Sequence, residues 1–547
     1  MRGIRITAAW VIVLLWAVSA SAQNTGSISG VVKDSSGGVL PGADVVVTNT
    51  ATGVEQRTIS SEEGKYQFPS VVPGTYVTSA EMSGFRKNAT KPFELHVGDR
   101  LALDMTLEIG TTSEEVTVTA SAPLLRTADA QVGEVINNQF ISNLPQLNRN
   151  PFALVALAGN VQGSMTQNAN GQSTLQLNGG RTSSVDYYVD GGVVNSGQAN
   201  RLTNQIPTMD AVAEFKVVTS GISAEFGRIS GGYVTLVTKG GTNKFSGSGY
   251  AYMFDDKFNA NSWEQASIGA KKADFRQNTY GFTAGGPVVM PGYDGHNKTF
   301  FFVENEYFRR NEQGRVNLAS VPTALERTGD FSQTTYNGRV YLMYDPYGPQ
   351  VFNNARGLWE RTGLLGGDGR HVPAELISPV SKAILAMVPM PNRPSTAGSS
   401  SLNNYQFESG SHQSDFKIGI RIDHNLSNTQ RLSGRFLTYN SDLASTPTMD
   451  NPLYTSNISK VNGGKTGNIN YTWTLGPTTL VDLRASATYT PTLTGATHAD
   501  NFSNSFLPKE YSAYLAKNDV PNIAVTFMGG TPYAQAGSKS EVKSTTA

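Results

Sequence analysis

The sequence predicts a mainly β protein built from successive β domains. Its 547 residues exceed the usual size of one domain, which is roughly 100 to 200 residues, so several domains are expected. The 56 glycines and 25 prolines favour frequent turns, and aromatic residues reach 9%, as is common in strands. Apolar and polar residues alternate in short runs near the N-terminus and in longer runs after residue 245, which is the period of β-strands.

Composition excludes several functional classes. Lys+Arg 43 and Asp+Glu 43 give a formal net charge of zero, whereas a nucleic-acid binder needs a basic surplus to displace counterions. No run of about 18 apolar residues follows the N-terminus, which argues against a helical membrane bundle. The absence of cysteine removes disulfides and thiolate metal ligands.

Candidate catalytic groups are scarce. The six histidines form no HExxH pair, and there is no GxSxG nucleophile elbow. His371 and Glu375 have helical spacing, but Pro373 between them disfavours one continuous helical face. We therefore expect no enzyme activity, no catalytic residue, no metal site and no cofactor.

The first 22 residues have the pattern of a secretory signal peptide. Arg2 and Arg5 precede the apolar stretch Ala8–Val18, and Ala20-Ser21-Ala22 forms an A-x-A cleavage site. The apolar stretch is too short to cross about 30 Å of hydrocarbon as a helix. We expect export, with cleavage after Ala22.

Residues 23–109 are expected to form a small β-sandwich. Short alternating runs are interrupted by Gly and Pro every 8 to 12 residues, which is typical of sandwiches. Tyr66 and Phe68 are two residues apart, so they share one face of a strand. With Tyr76, we assign them to the core.

The motifs SGxVxD, PGA, GxYxF and PGxY in this region resemble the carboxypeptidase regulatory-like domain. The resemblance implies a transthyretin-like sandwich with a carbohydrate-binding-like fold, some of whose members bind polysaccharide. Sugar binding requires exposed aromatic platforms, and the three aromatic residues assigned to the core would not provide one. Carbohydrate binding is therefore an expectation that rests on the resemblance alone.

Residues 110–120 contain a short alternating segment with two interpretations. Val116 and Val118 alternate with threonines between an acidic pair and a proline. The segment is either the last strand of the sandwich or a free extended strand. A free strand is available to a partner that pairs with its backbone edge.

Residues 121–240 are expected to form a globular domain with both helices and strands. Two short helical pieces are predicted around Pro145 and Pro151. The run Leu175–Arg181 reads as a strand leading into a Gly turn, and Tyr187–Gly191 as a strand leading into an Asp-Gly hairpin. Val212, Phe215 and Val217-Val218 indicate another strand.

The segments NGGR, YYVDG, EFKVVTSGISAEFGR and SGGYVTLVTKGGTN resemble the α/β plug domain of TonB-dependent outer-membrane receptors, specifically the Oar-like branch that carries the regulatory-like domain in front. The resemblance implies a TonB box at residues 115–120 and, as partners, TonB, its inner-membrane motor proteins, outer-membrane lipid and an unknown ligand. The TonB-box candidates are Glu115, Val116, Thr117, Val118, Thr119 and Ala120. The plug-motif residues are Asn178, Gly179, Gly180, Arg181, Tyr188, Asp190, Gly191, Glu214, Phe215, Glu225, Phe226, Gly227 and Arg228.

Residues 241–547 are expected to form part of a transmembrane antiparallel β-barrel. From Phe416 to Ile422 apolar residues alternate with Lys417, Arg421 and Asp423, which places apolar side chains towards lipid and charges inward. A hairpin is predicted from residues 469–475 and 481–489. Further strands are expected at Ser246–Phe254, Thr279–Pro287 and Thr299–Phe308.

The remaining part of this region is polar and rich in proline. We interpret residues 309–413 as a large extracellular loop with a helix near Ala374–Met387. About seven strands are then left after residue 245. A barrel of eight strands is already filled by its own side chains, whereas about 22 strands leave room for a plug. We therefore expect an incomplete barrel and a chain truncated at its C-terminus.

Together these features predict a TonB-dependent receptor and transporter of the outer membrane, with the N-terminal domain in the periplasm. One alternative is an adhesion or export-linked protein on the same scaffold. Another is a soluble periplasmic carbohydrate-binding protein, which would require residues 245–547 to fold without lipid. Glycans, peptides and metal chelates all remain open as ligands.

Overall fold

The computed structural model describes most of the chain after the predicted signal peptide. The described residues are 25–110, 115–117, 131–144, 149–163, 175–182, 184–195, 202–203, 205–222, 226, 229–340, 342–361, 363–447, 457–476, 479–496, 523–524, 535–536 and 540–546. The predicted signal peptide and its cleavage site at Ala22 lie outside them.

The N-terminal region folds as two facing β-sheets. One sheet has the order β4-β1-β8, with β9 also paired to β1, and the other has the order β10-β6-β5-β2-β3, with β7 also paired to β5. The strands are β1 (Gly26–Asp34), β2 (Asp44–Asn49), β3 (Glu55–Ile59), β4 (Lys65–Val71), β5 (Gly74–Glu81), β6 (Lys87–Ala89), β7 (Phe93–Leu95), β8 (Arg100–Ala102), β9 (Met105–Leu107) and β10 (Glu115–Thr117).

The predicted sandwich core is confirmed. Tyr66, Phe68 and Tyr76 are 2%, 3% and 5% exposed, so they fill the space between the sheets. Tyr66 donates its hydroxyl hydrogen bond to the carbonyl oxygen of Leu103. Burial raises the pKa of Tyr66, because a phenolate would be poorly solvated there. These three rings therefore form no exposed platform for a sugar, and carbohydrate binding stays a prediction.

The second domain, which we call the plug, is built on a five-stranded sheet of order β11-β16-β17-β14-β15. Strands β14 and β17 are parallel, and the other pairs are antiparallel. Its elements are β11 (Val132–Asn137), α1 (Asn138–Asn143), a 3₁₀ helix (Pro151–Leu157), β12 (Val161–Gln162), β13 (Gln176–Leu177), β14 (Val185–Val189), β15 (Gly192–Val193), a 3₁₀ helix (Met209–Ala211), β16 (Val212–Ser220) and β17 (Gly232–Thr238).

Local sequence signals predicted this domain well. The two helical pieces appear on either side of Pro145, one α-helical and one 3₁₀. The Asp-Gly hairpin is confirmed: Asp190 and Gly191 have φ values of 48° and 84° between β14 and β15. Positive φ at both positions gives a turn whose twist matches that of paired strands.

The third region is one antiparallel sheet of eight strands in the order β18-β19-β22-β27-β28-β29-β30-β33, and in the described part of the chain it is open. These strands are β18 (Ser246–Asp255), β19 (Asp274–Pro287), β22 (Thr299–Ala319), β27 (Tyr405–Ser427), β28 (Gln430–Pro447), β29 (Asn457–Gly476), β30 (Thr479–Ala496) and β33 (Ser540–Thr546). In the described part of this region the α-helices are α2 (Trp263–Ser267), α3 (Ala324–Arg327) and α4 (Pro379–Met387). Two further 3₁₀ helices (Asp256–Phe258 and Ala374–Leu376) and short hairpin strands complete it: β20 (Val289–Met290), β21 (Tyr293–Asp294), β23 (Thr335–Tyr336), β24 (Arg339–Val340), β25 (Gln350–Asn353), β26 (Leu358–Arg361), β31 (Ile523–Ala524) and β32 (Gln535–Ala536).

The predicted alternation of the long strands is confirmed. On β27, Phe416 and Ile422 are 38% and 46% exposed, whereas Lys417, Arg421 and Asp423 are nearly fully buried. One face of the sheet is therefore apolar and outward, and the other carries charges that face the plug. No described helix is both long and apolar enough to cross a membrane.

Two predictions for this region need correction. The loop predicted at 309–413 is shorter, because β22 and β27 stay paired from Arg310–Gln413 outwards to Ala319–Tyr405. Polar strands above the apolar band retain their ladder hydrogen bonds, so hydropathy alone placed the strand ends too early. The sheet also has eight strands where about seven were predicted, and the predicted helix is present as Ala374–Leu376 and α4.

Candidate functional site at the plug and barrel interface

The plug meets the inward face of the barrel sheet at the Asp190-Gly191 turn. Within the plug, the Asp190 carboxylate accepts hydrogen bonds from the Thr238 backbone N–H at 2.9 Å and from the Thr238 hydroxyl at 2.7 Å. Thr238 ends β17, the strand that pairs with β14. The carboxylate is thus fixed by its own domain and presented to the barrel.

Barrel arginines reach this carboxylate. Arg421 Nη1 lies 3.1 Å from Asp190 Oδ1 and also donates to the Thr238 carbonyl at 2.7 Å. Arg435 Nε lies 3.8 Å from Asp190 Oδ2. The Asp190 and Arg421 side chains are 4% and 8% exposed, so the ion pair is shielded from water. Charge-assisted hydrogen bonds of this kind are strong and hold a fixed geometry.

The backbone of the turn is held as well. The side-chain amides of Asn468 and Asn470, on β29, donate to the Asp190 carbonyl at 3.1 and 2.9 Å. Gly192 approaches the barrel so closely that an added Cβ would lie 3.2 Å from Ser486 Cβ. The turn therefore fits a recess in the barrel wall that favours glycine.

The remaining charges of this cluster balance one another. Asp423 accepts from Arg421 at 2.8 Å and from Arg431 at 2.7 Å. Glu304 accepts from Arg435 at 2.8 Å and from the plug backbone N–H of Thr208 at 2.6 Å. Because a buried charge without a partner is costly, this pairing is what allows charged residues inside the sheet.

Two further contacts lie elsewhere on the interface. Arg149 pairs with Asp210 within the plug and lies 3.8 Å from Glu306 of β22, with its guanidinium 3.9 Å from the centre of the Tyr252 ring. Gln205 donates to the Tyr489 carbonyl at 3.1 Å. The plug is therefore attached to β18, β22, β27, β28, β29 and β30 rather than to one strand.

The predicted plug-motif residues take different roles. Asn178 and Gly179 form the left-handed turn after β13, and Gly180 and Arg181 continue it away from the barrel contacts. Tyr188 packs against Phe226, their ring centres 5.6 Å apart, and Phe215 lies in the plug core at 0% exposure. Asp190 contacts the barrel, Gly191 supplies the second positive φ of its turn, and Glu214 contacts the N-terminal sandwich. The remaining three, Glu225, Gly227 and Arg228, lie outside the described residues.

Half of the predicted TonB box is described. Glu115–Thr117 forms β10 and pairs in parallel with Lys87–Ala89 of the sandwich. At these three residues the structure shows the first of the two interpretations, a strand added to the sandwich edge. Val118, Thr119 and Ala120 lie outside the described residues, and recognition by TonB stays a prediction.

The residues that join plug to barrel could only partly be found from the sequence. Arg421 and Asp423 were predicted to point inward, but nothing in the sequence linked them to Asp190. Asn470 was predicted on the polar side of its strand without a partner, and Arg149, Glu304 and Arg435 were not singled out. The sequence pattern that could have found them is a charged residue on a strand whose other face is apolar. Such a pattern indicates that the charge points inward, but it does not identify the residue that it pairs with.

The loop residue His371, considered above as a catalytic candidate, pairs with a neighbouring carboxylate of its own loop. Its ring Nδ1 lies 2.6 Å from Asp368 Oδ2 in the segment between β22 and β27. The Arg370 backbone N–H and the His371 ring lower the pKa of Asp368 to about 2. Among the described residues, no group of three or more His, Asp or Glu is arranged to hold a metal ion.

Comparison with known proteins agrees with this architecture. Residues 237–547 match the family described as "Outer membrane beta barrel domain", and residues 27–108 match the "Carboxypeptidase regulatory-like domain". The chain is 25% identical over 301 residues to the TonB-dependent transporter Oar of Myxococcus xanthus, a match that covers 50% of this chain and 26% of that protein. The chain thus spans about a quarter of the curated relative's length.

The solved structures that align over about two thirds of this chain include outer-membrane receptors and transporters, whereas catechol 1,2-dioxygenases of Acinetobacter align with 18% of it. The transporter YddB of Escherichia coli aligns with 10% identity and a TM-score of 0.40 over 67% of this chain and 40% of that chain. The siderophore receptor PirA of Acinetobacter baumannii aligns with 11% identity and a TM-score of 0.30 over 66% and 44%. The family match extends over more than half of the sequence, and the chain therefore belongs to the outer-membrane β-barrel family and is a protein of the outer membrane, with a carboxypeptidase regulatory-like domain ahead of its plug and barrel regions.

Proposed function

We propose that the protein is a TonB-dependent receptor and transporter that moves a ligand across the outer membrane. The observation that carries the proposal is the plug itself: a folded domain occupies the charged inner face of the barrel sheet and is tied there by Arg421, Arg435 and Asn470. A domain bound to the inner face of a barrel blocks the passage through it, and its displacement would open that passage.

The attachment of the plug suits a reversible blockage. Its contacts with the barrel are largely hydrogen bonds and ion pairs, which can be exchanged for water or for other polar partners. An apolar interface of the same size would lose burial with every step of movement. Energy supplied through TonB, acting on residues 115–120, would displace the plug or part of it. In this proposal no residue of the chain makes or breaks covalent bonds.

The test is capture by TonB. The purified periplasmic domain of TonB from the same organism is the probe, and Val116→Pro removes a backbone donor from the proposed box. We expect the unaltered chain to bind the probe and the variant to lose at least about tenfold in affinity, equal to about 1.4 kcal/mol. Ser113→Pro, outside the box, is the matched control. Equal binding of all three chains would contradict the proposed coupling.

The ligand is best sought by growth. A deletion strain compared with its parent across iron and carbon sources would show which nutrient depends on the protein. Restoration by the unaltered gene, and failure of the Val116→Pro gene to restore growth, would join ligand uptake to TonB. Growth that depends on the protein but is restored by the variant would exclude TonB as the energy source.

A further inference from the structure

The N-terminal sandwich touches the plug through the turn between β7 and β8. The plug residue Glu214 accepts a hydrogen bond from the Val97 backbone N–H at 2.6 Å, and its other oxygen lies 2.6 Å from His96 Nδ1. Lys216, two residues along β16 and on the same face, donates to the Gly98 carbonyl at 3.3 Å. An anion and a cation of one plug strand thus hold both ends of a single sandwich turn.

The sandwich also touches the base of the barrel. The backbone N–H of Asn243 donates to the Ala51 carbonyl at 3.1 Å, and its side chain donates to the Thr52 carbonyl at 2.6 Å. Asn243 Oδ1 in turn accepts from the backbone N–H of Asn297, in the turn before β22, at 2.8 Å. This end of the sheet has the short turns, such as residues 428–429, and is therefore the periplasmic end.

Between these two attachment points the domains are not tightly packed. A cavity of about 470 Å³ lies at the junction, lined by Asn49 and Tyr76 of the sandwich, Lys239 of the plug, and Phe300 and Arg431 of the barrel. Beside this cavity, the described contacts of the sandwich with the plug and with Asn243 are therefore polar hydrogen bonds rather than parts of a continuous apolar interface. Such an interface is typical of domains that separate reversibly.

We propose that the N-terminal sandwich is a periplasmic latch, that is, a domain that binds plug and barrel at once and thereby keeps the plug bound to the barrel wall. The sandwich has to release Glu214 before the plug leaves the barrel wall. Part of this proposal, that the plug moves during transport, rests on the proposed function. The mechanical coupling of sandwich, plug and barrel does not, and it is measurable without ligand or TonB.

Hydrogen exchange of the full-length chain in detergent micelles tests the coupling. Two amides report on different interfaces: Val97 N–H on the contact between sandwich and plug, and Thr208 N–H on the contact between plug and barrel Glu304. Glu214→Ala is expected to speed exchange at Val97 about tenfold or more. If the sandwich is a latch, exchange at the distant Thr208 also rises, by about fivefold or more.

The matched control is Glu134→Ala, which removes an exposed carboxylate of the same plug sheet whose contact, with Gly159 N–H at 3.4 Å, stays within the plug. It should leave both amides within about twofold of the unaltered chain. Faster exchange at Val97 without faster exchange at Thr208 would show that the sandwich does not hold the plug against the barrel, and would overturn the proposal. No change at Val97 would overturn the contact itself.

A locked chain gives an independent test should Glu214→Ala fail to fold. Because the sequence has no cysteine, Ala51→Cys with Asn243→Cys introduces the only two thiols. The Asn243 backbone N–H donates to the Ala51 carbonyl at 3.1 Å, so the two residues are neighbours, and a disulfide requires Cα atoms roughly 4.4 to 6.8 Å apart. We expect the disulfide to form under mild oxidation and to slow Thr208 exchange about fivefold relative to the reduced chain. Thiols that stay free, or a disulfide without effect on Thr208, would refute the latch.

Discussion

Removing the Arg421 guanidinium should release the plug from the barrel wall. In the unaltered protein this group donates to Asp190, to the Thr238 carbonyl and to Asp423, and its side chain is 8% exposed. Arg421→Met keeps much of the side-chain volume but, among the described residues, leaves the Asp190 carboxylate with the more distant Arg435, at 3.8 Å, as its cation.

The expected magnitude follows from the burial of the pair. Breaking a buried ion pair by removing one partner costs about 3 to 5 kcal/mol, because the remaining charge stays in a poorly solvated place. Pulse proteolysis across a urea series reports the fraction of chains whose plug is released. With a slope of roughly 1.5 kcal/mol per molar urea, the release midpoint should fall by about 2 to 3 M.

Arg484→Met is the matched control. Arg484 is also an inward arginine, 6% exposed, and pairs with Asp482 two residues away, as Arg421 pairs with Asp423. Among the described residues its hydrogen bonds and its ion pair are made with Asp482 rather than with the plug. Its replacement should move the plug-release midpoint by less than about 0.5 M. If both variants shift the midpoint equally, the ion pair between Arg421 and Asp190 does not hold the plug.

Three further predictions follow from other parts of the molecule. Ile420→Arg places a charge on the lipid face of β27 and should destabilise the folded barrel in bilayers by about 2 to 4 kcal/mol, measured by urea unfolding; an unchanged midpoint would show that this face does not meet lipid. Gly192→Leu should prevent the plug turn from seating against Ser486 and make the plug sensitive to protease, whereas a protected plug would contradict the close approach. Tyr66→Phe should cost the sandwich about 1 kcal/mol at pH 8 through its lost hydrogen bond. Because the folded-state pKa of Tyr66 is raised, its neutral form stabilises the sandwich below about pH 10, and that contribution falls as the pH rises further. The urea midpoints of the unaltered and Tyr66→Phe chains should therefore converge in alkali. A difference between the midpoints that stays constant with pH would contradict this.

Local rules predicted the parts of the fold that depend on neighbouring residues. The alternation around Ile420 identified the outward face of β27, since a strand side chain can point to only two sides. The Asp190-Gly191 turn was predicted because few residues accept positive φ. The assignment of Tyr66 and Phe68 to the sandwich core was correct for the same reason as the alternation: both residues lie on one face.

The same rules were less successful where distant parts of the chain meet. The ladder between β22 and β27 continues past Arg309, because backbone pairing does not require apolar side chains. On β28, Leu437 and Tyr439 are buried on the inner face, 0% and 1% exposed, although apolar residues were expected outside. They cluster with Val461 of β29, an inward contact that the alternation of one strand does not reveal.

The order of domains, the two faces of the long strands and the inward direction of Arg421 and Asp423 are readable from the amino-acid sequence, because these properties follow from residue type and a period of two. The binding of Arg421 to Asp190, 231 positions away, and of the plug residue Glu214 to the sandwich turn at Val97 depends on the three-dimensional fold. A charged side chain shows in sequence that it needs a partner, but the choice of partner is made by the packing of whole domains, which brings together groups that no local pattern connects.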